Sequence, residues 1–271
     1  MSAIFKGDEM TLFDSGMRLR LESLINVADM EIRQDFHNGY IVDENDYTSN
    51  LTSHIRRIVN AAMPLRVHTH SQKLPSSRER FWGADAMVVL IDRYTRLGKI
   101  CFFEAKTDRA NWDYTHKPSL MSHFSSQLDR QTRAINSNYA VWEQFYTAES
   151  IHKPLNVNRH QRGSSCIIHD LAYRLYHPMP NTKIWTNSDI DLLCIKQTQL
   201  NIPITMGGII RIICECHYGS PYRIEEIINF FDEKIDVSEI LIIEGSAYHG
   251  NEFEEGFADI ILKKLRHNSQ D

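Results

Sequence analysis

The chain has little with which to cross-link itself and nothing with which to cross a membrane. Five of its 271 residues are cysteines, Cys101, Cys166, Cys194, Cys214 and Cys216, an odd number set mostly in apolar runs. That pattern suits buried thiols in a reducing compartment and speaks against a disulfide framework. No apolar stretch is long enough to span a bilayer, and residues 1–12 lack the basic-then-apolar plan of a secretory signal. Together these absences lead to the expectation of a cytoplasmic protein. There is no internal repeat and no low-complexity tract. Positive charge is not in excess either: 30 Lys and Arg against 35 Asp and Glu leave a net charge of −5. A protein that coats a polyanion by bulk electrostatics is thereby disfavoured.

What is present is enough for a sizeable core without staples, in one large domain or in one domain with an appended lobe. The reading divides the chain into a core at 1–147 and a following part at 148–271 that extends the sheet or forms an accessory lobe, expected within the same domain. Charge is unevenly spread. Over residues 50–80, Arg56, Arg57, Arg66, Lys73, Arg78 and Arg80 face Glu79 alone, with His54, His68 and His70 added, whereas acids outnumber bases beyond Arg223.

Periodicity predicts a helix over 15–36 and a second over 46–62, whose Leu51, Ile55, Ile58 and Val59 form an apolar stripe behind Asp46 or Thr48 as N-cap. A strand beginning at 65–69 is expected to pair near 86–91. Residues 119–134 read as a helix marked at its start by Pro118, with Gln127 and Gln131 one turn apart, and 139–146 as another. The polar segment 148–163 reads as a loop or boundary. Beyond it, 164–169, 184–195 and 240–244 look like strands, and 224–231 and 257–265 like helices.

One stretch carries chemistry. Asp85 precedes the apolar run 86–91, a polar turn around Gly98 follows, and the apolar 100–103 ends abruptly in Glu104-Ala105-Lys106. Alternation places Glu104 and Lys106 on one face, and a hairpin joining the two runs would bring Asp85 beside them. Two carboxylates at one site repel, and a divalent cation with a preference for oxygen, Mg²⁺ or Mn²⁺, relieves that. The lysine adds an ammonium that positions water or stabilises charge on a phosphate. Glu104 and Lys106 equally suit a solvent-facing strand end, for which such charges are common.

Asp85 with Glu104-Ala105-Lys106 resembles the PD-(D/E)xK signature of restriction-endonuclease-like nucleases, with Ala84 where the family's proline would stand. The resemblance spans roughly residues 44–133. It implies an α/β fold with a mixed central sheet flanked by helices, an α-β-β-β-α core and added C-terminal elements. It also implies a further acid from the first core helix, Glu44 or else Asp46, and a glutamine from the following helix, Gln127. Asp85, Glu104, Glu44 and the carbonyl of Ala105 would then hold one or two Mg²⁺ ions, with Mn²⁺ as substitute. Lys106 would orient water for attack, leaving a 5′-phosphate. Duplex DNA is the implied substrate, in restriction, phage defence or repair, and a homodimer is the implied assembly. Arg56, Arg57, Arg78, Arg80 and Gln131 are candidate nucleic-acid contacts, although Arg56 and Arg57 also suit an ordinary solvated helix face. The rival expectation is a non-catalytic DNA-binding or scaffolding protein of the same fold; an RNA-directed nuclease is a third.

Other constellations carry less. Cys214-Glu215-Cys216-His217 lacks a second ligand pair at zinc spacing, and buried thiols are the simpler reading. Asp189 and Asp191, two apart on an expected strand, would share a face and read as acids at a strand entry or as metal ligands. His68 and His70 likewise share a strand face, and His123 lies one turn before Gln127.

Overall fold

A computed structural model describes residues 11–74, 81–107, 109–117, 120–147, 159–161, 163–176, 183–232, 235–246 and 256–268. Two helices precede the first strand of the sheet. Helix α1 (Ser15–His37) is capped by Asp14, whose carboxylate accepts the Met17 amide at 2.8 Å. Helix α2 (Glu44–Ala62) is capped by Asp43, which accepts from the Asp46 amide at 2.8 Å. The cap therefore lies upstream of both expected candidates, Asp46 and Thr48, because the carboxylate of Asp43 can bond the third amide of the first turn.

The centre is a mixed sheet of seven strands. Strands β1 (Val67–Lys73), β2 (Ala86–Asp92) and β3 (Leu97–Thr107) follow α2. A two-residue hairpin, β4 (Thr115–His116) with β5 (Met121–Ser122), leads into α3 (His123–Asn136). Then come β6 (Ala140–Tyr146), β7 (Ser165–Ile168), α4 (His169–Tyr176), α5 (Asn187–Gln199) and α6 (Met206–Cys214). The chain ends with β8 (Tyr222–Arg223), α7 (Ile224–Phe230), β9 (Glu239–Gly245) and α8 (Phe257–Asn268). The strand order is β1-β9-β2-β3-β6-β7, with β8 paired to the start of β3. Elements from both halves of the chain thus share one sheet, and β9 runs parallel to β2 at its centre.

β1 pairs with β9, antiparallel, and not with β2, since β9 is inserted between them. Residues 139–146 form no helix: β6 is a strand buried along its whole length between β3 and β7, and its polar Glu143 and Gln144 are adjacent, hence on opposite faces, so no single polar face reveals its period. Residues 184–195 form no strand: Thr186 and Asp189 make a capping box that starts α5. Asp189 and Asp191 consequently share no strand face; Asp191 instead pairs with Arg159 at 2.7 Å. Gly98 lies within β3 opposite Ile91, where a Cβ would come within 2.6 Å of the Leu90 carbonyl, and the turn precedes it. Helix α3 begins at His123 with Ser122 as cap, while Pro118 and Ser119 fall outside the described residues.

The sheet separates two apolar layers. On one side Ala86, Val88 and Leu90 of β2 and Cys101, Phe103 and Ala105 of β3 join α1, α2 and α6. On the other, Met87, Val89 and Ile91 with Ile100 and Phe102 meet α7 and α8. A third cluster joins Phe124 and Leu128 of α3 to Phe145, Ile167, Trp185 and Leu193. Among the described residues no helix is long and apolar enough to cross a membrane.

Candidate functional site

β3 outruns its hairpin partner, and that difference builds the site. The antiparallel ladder pairs Ala86 with Phe103 and then stops, because the chain before Asp85 turns away while β3 continues to Thr107. Amides of β3 beyond that point need other acceptors, since a buried unbonded N–H is costly. Two acids supply them. The Asp85 carboxylate accepts from the Ala105 amide at 2.9 Å, and that of Glu44, from the first turn of α2, accepts from the Thr107 amide at 3.1 Å. It is thus Glu44 whose carboxylate reaches β3, from a position fixed by the Asp43 cap.

Alternation does the rest. Asp85 follows the parity of Met87, and Glu104 and Lys106 follow that of Phe102, so all three project from the sheet face opposite Ala86, Phe103 and Ala105. α3 lies on that same side. Gln127 donates through its amide nitrogen to the Glu104 carboxylate, and the Lys106 ammonium bonds the same oxygen of Glu104. All of this is dry: Glu104 is 0% exposed and Lys106 7%.

Burial by itself would drive the Lys106 ammonium towards neutrality. The carboxylates of Glu104, Asp85 and Glu44, together with the Glu104 hydrogen bond, outweigh it and hold the pKa well above the ordinary lysine value. Beside these acids Lys106 is a cation and a hydrogen-bond donor to Glu104.

The donor set suits a hard divalent cation in kind, being three carboxylates and an amide oxygen, Oε1 of Gln127, that is buried with no hydrogen-bond partner among the described residues. In the arrangement described, each acid also bonds an N–H group. Among the described residues no three His, Cys, Asp or Glu side chains converge as a ready-made metal group.

A neighbouring network was not legible in the sequence. Glu143 of β6 stands beside Glu104 of β3 in register, so Asp85, Glu104 and Glu143 form a row across three adjacent strands. Glu143 is fully buried; it accepts from Gln131 at 3.1 Å and lies 3.3 Å from His169 Nδ1. Gln131 also donates to the Gly83 carbonyl at 2.9 Å and meets His169 Nδ1 at 2.7 Å. Its amide is spent inside the protein, so Gln131 does not present itself for surface contact with nucleic acid. The glutamine pair on α3 was readable from spacing; its partners were not, because they come from β6 and the start of α4.

The remaining candidates are scattered. Arg56 bonds Ser71 and Ser53, and Arg57 bonds His54. Both lie twelve or more residues along α2 from Glu44, roughly 18 Å at a helical rise of about 1.5 Å. Arg78 and Arg80 fall outside the described residues. Cys214 ends α6 in the core, where burial raises its thiol pKa, and no cysteine is disulfide-bonded. His68 and His70 are half-buried on β1, and His123 stacks on Tyr114. Comparison of the chain with family models, curated proteins and solved structures returned no match.

Proposed function

We propose that the chain is a metal-dependent endonuclease of restriction-endonuclease-like fold that hydrolyses phosphodiester bonds of duplex DNA, in restriction or phage defence. The observation that carries this reading is the convergence of Asp85, Glu104 and Lys106 at the open end of one hairpin, with Gln127 reaching in from α3. Asp85 and Glu104, with Glu44 and the Ala105 carbonyl, would hold Mg²⁺ or Mn²⁺. Bound there, such an ion supplies Lewis-acid polarisation of a phosphate and lowers the pKa of a water.

The side chains supply the rest. Gln127 fixes the rotation of the Glu104 carboxylate by bonding Oε1. Lys106 would orient an attacking water and stabilise the negative charge that develops on the phosphate. Exclusion of bulk water strengthens both effects. A homodimer would cut both strands.

A second reading, a non-catalytic DNA-binding or scaffolding protein, draws on the pairwise engagement of the acids with backbone amides. Plasmid DNA incubated with the purified chain and Mg²⁺ or Mn²⁺ separates the two. Cleavage is expected from the unaltered chain and is expected to be lost in Asp85→Asn and Glu104→Gln. Absence of cleavage with every metal, or equal cleavage by the variants, defeats the enzyme reading.

A further inference from the structure

Helix α3 does more than deliver Gln127. The segment before β2 lies along it turn by turn. A Cβ on Gly83 would meet the Gln127 carbonyl at 2.8 Å and the Arg130 Cβ at 2.9 Å, so the segment's backbone presses against the helix there. Two residues earlier, the Arg133 guanidinium sits 4.6 Å from the ring centroid of Phe81 and donates to the Phe81 carbonyl at 3.4 Å. Phe81 is 52% exposed. The track from Phe81 to Asp85 therefore runs beside Arg133, Arg130 and Gln127 in succession, and its far end is the acidic row.

Both arginines lack a carboxylate partner among the described residues, in a protein where many arginines have one: Arg18 with Glu215, Arg93 with Glu244, Arg211 with Glu22. The Arg130 Nε atom is buried without a hydrogen bond. What α3 offers beside the site is thus positive charge stiffened by an aromatic ring, on a chain whose net charge is −5.

We infer that Arg130 and Arg133, the latter braced by Phe81, form the surface that grips the phosphate backbone of duplex DNA next to the cleavage point. The spacing suits it. The two arginines lie roughly 4.5 and 9 Å beyond Gln127 along the helix axis at about 1.5 Å per residue, and phosphates of one strand recur about every 3.4 Å of duplex axis. One arginine per phosphate is then within reach on the same side of the scissile bond. This surface replaces the distant Arg56 and Arg57 as the primary contact. It rests on the nuclease reading only for its orientation towards the acids; the binding itself needs no metal.

The test measures binding apart from cleavage. A fluorescein-labelled DNA duplex is titrated with the full chain in EDTA at several salt concentrations, for the unaltered chain, Arg130→Gln, Arg133→Gln, the double variant and Arg133→Lys. Each lost phosphate contact is expected to reduce the slope of log K against log salt by about 0.9, and the double variant by about twice that. Arg133→Lys should retain the slope, and melting curves confirm that each variant is folded. An unchanged slope in the folded double variant, or no duplex binding by the unaltered chain, overturns the inference. Stronger dependence on these arginines for an RNA duplex than for DNA overturns the choice of DNA. Plasmid cleavage with an unchanged slope would reject this surface while leaving the nuclease reading intact; a reduced slope without cleavage would do the reverse.

Discussion

Replacing Lys106 by Met tests whether the ion pair at the end of β3 is held by burial as argued. The substitution keeps most of the side chain's volume and removes its charge, leaving Glu104 fully buried with the Gln127 amide and without its cation. Breaking a buried ion pair by deleting one member costs roughly 3–5 kcal/mol, because the survivor's charge is uncompensated. The remaining Gln127 bond places the expectation at the lower end, about 3 kcal/mol. Neutralising the survivor as well should return much of that loss, so Lys106→Met with Glu104→Gln is expected to be more stable than Lys106→Met alone by at least about 1 kcal/mol. Urea denaturation of the four proteins completes the cycle. The sign of the pH dependence follows from a lysine pKa that is raised on folding. The stabilisation is complete below the unfolded value of about 10.4 and is lost only as pH rises through the higher folded value. Between neutral pH and pH 9 the gap between unaltered chain and Lys106→Met should therefore not narrow on account of Lys106. A loss under about 1 kcal/mol for the single variant, or a double variant as unstable as the sum of both singles, would refute the reasoning.

Two further outcomes are expected. Gly83→Ala should destabilise the fold by about 1–2 kcal/mol from the left-handed backbone alone, since Gly83 has φ +64°, with more from the contacts its Cβ would make with Gln127 and Arg130; thermal melting reads this, and a variant as stable as the unaltered chain denies the close approach of the segment to α3. Of the five thiols, Cys101 is pushed up to about 12 by burial and Cys166, Cys194 and Cys214 are also buried, so only the half-buried Cys216 should react quickly with a disulfide reagent in the native protein. Two or more fast thiols would contradict that core.

The hairpin of β2 and β3 was readable because both strands are local in sequence and bounded by charge, and a short connection leaves few alternatives to antiparallel pairing. Asp85, Glu104 and Lys106 share a face for the same reason: alternation is a property of the backbone, independent of what packs on it. The helices α1, α2, α3, α7 and α8 were recognisable from apolar periodicity, with the start of α3 displaced by a few residues.

Elements whose pattern carries no polar side, or whose partner is remote in sequence, stayed hidden. β6 is buried on both faces and puts Glu143 on one and Gln144 on the other, so its alternation marks no exposed side, and α5 depends on a capping box that a strand reading overlooked. The insertion of β9 between β1 and β2 pairs residues more than 150 positions apart, and no local propensity encodes such a pairing. The neighbours of the site are of this kind too: Glu143 meets Gln131 and His169, and Arg133 meets Phe81, only once the chain has closed. Backbone geometry along a strand dictated which side chains point together, whereas contacts between elements were decided by burial of the whole apolar surface, which is a property of the assembled fold.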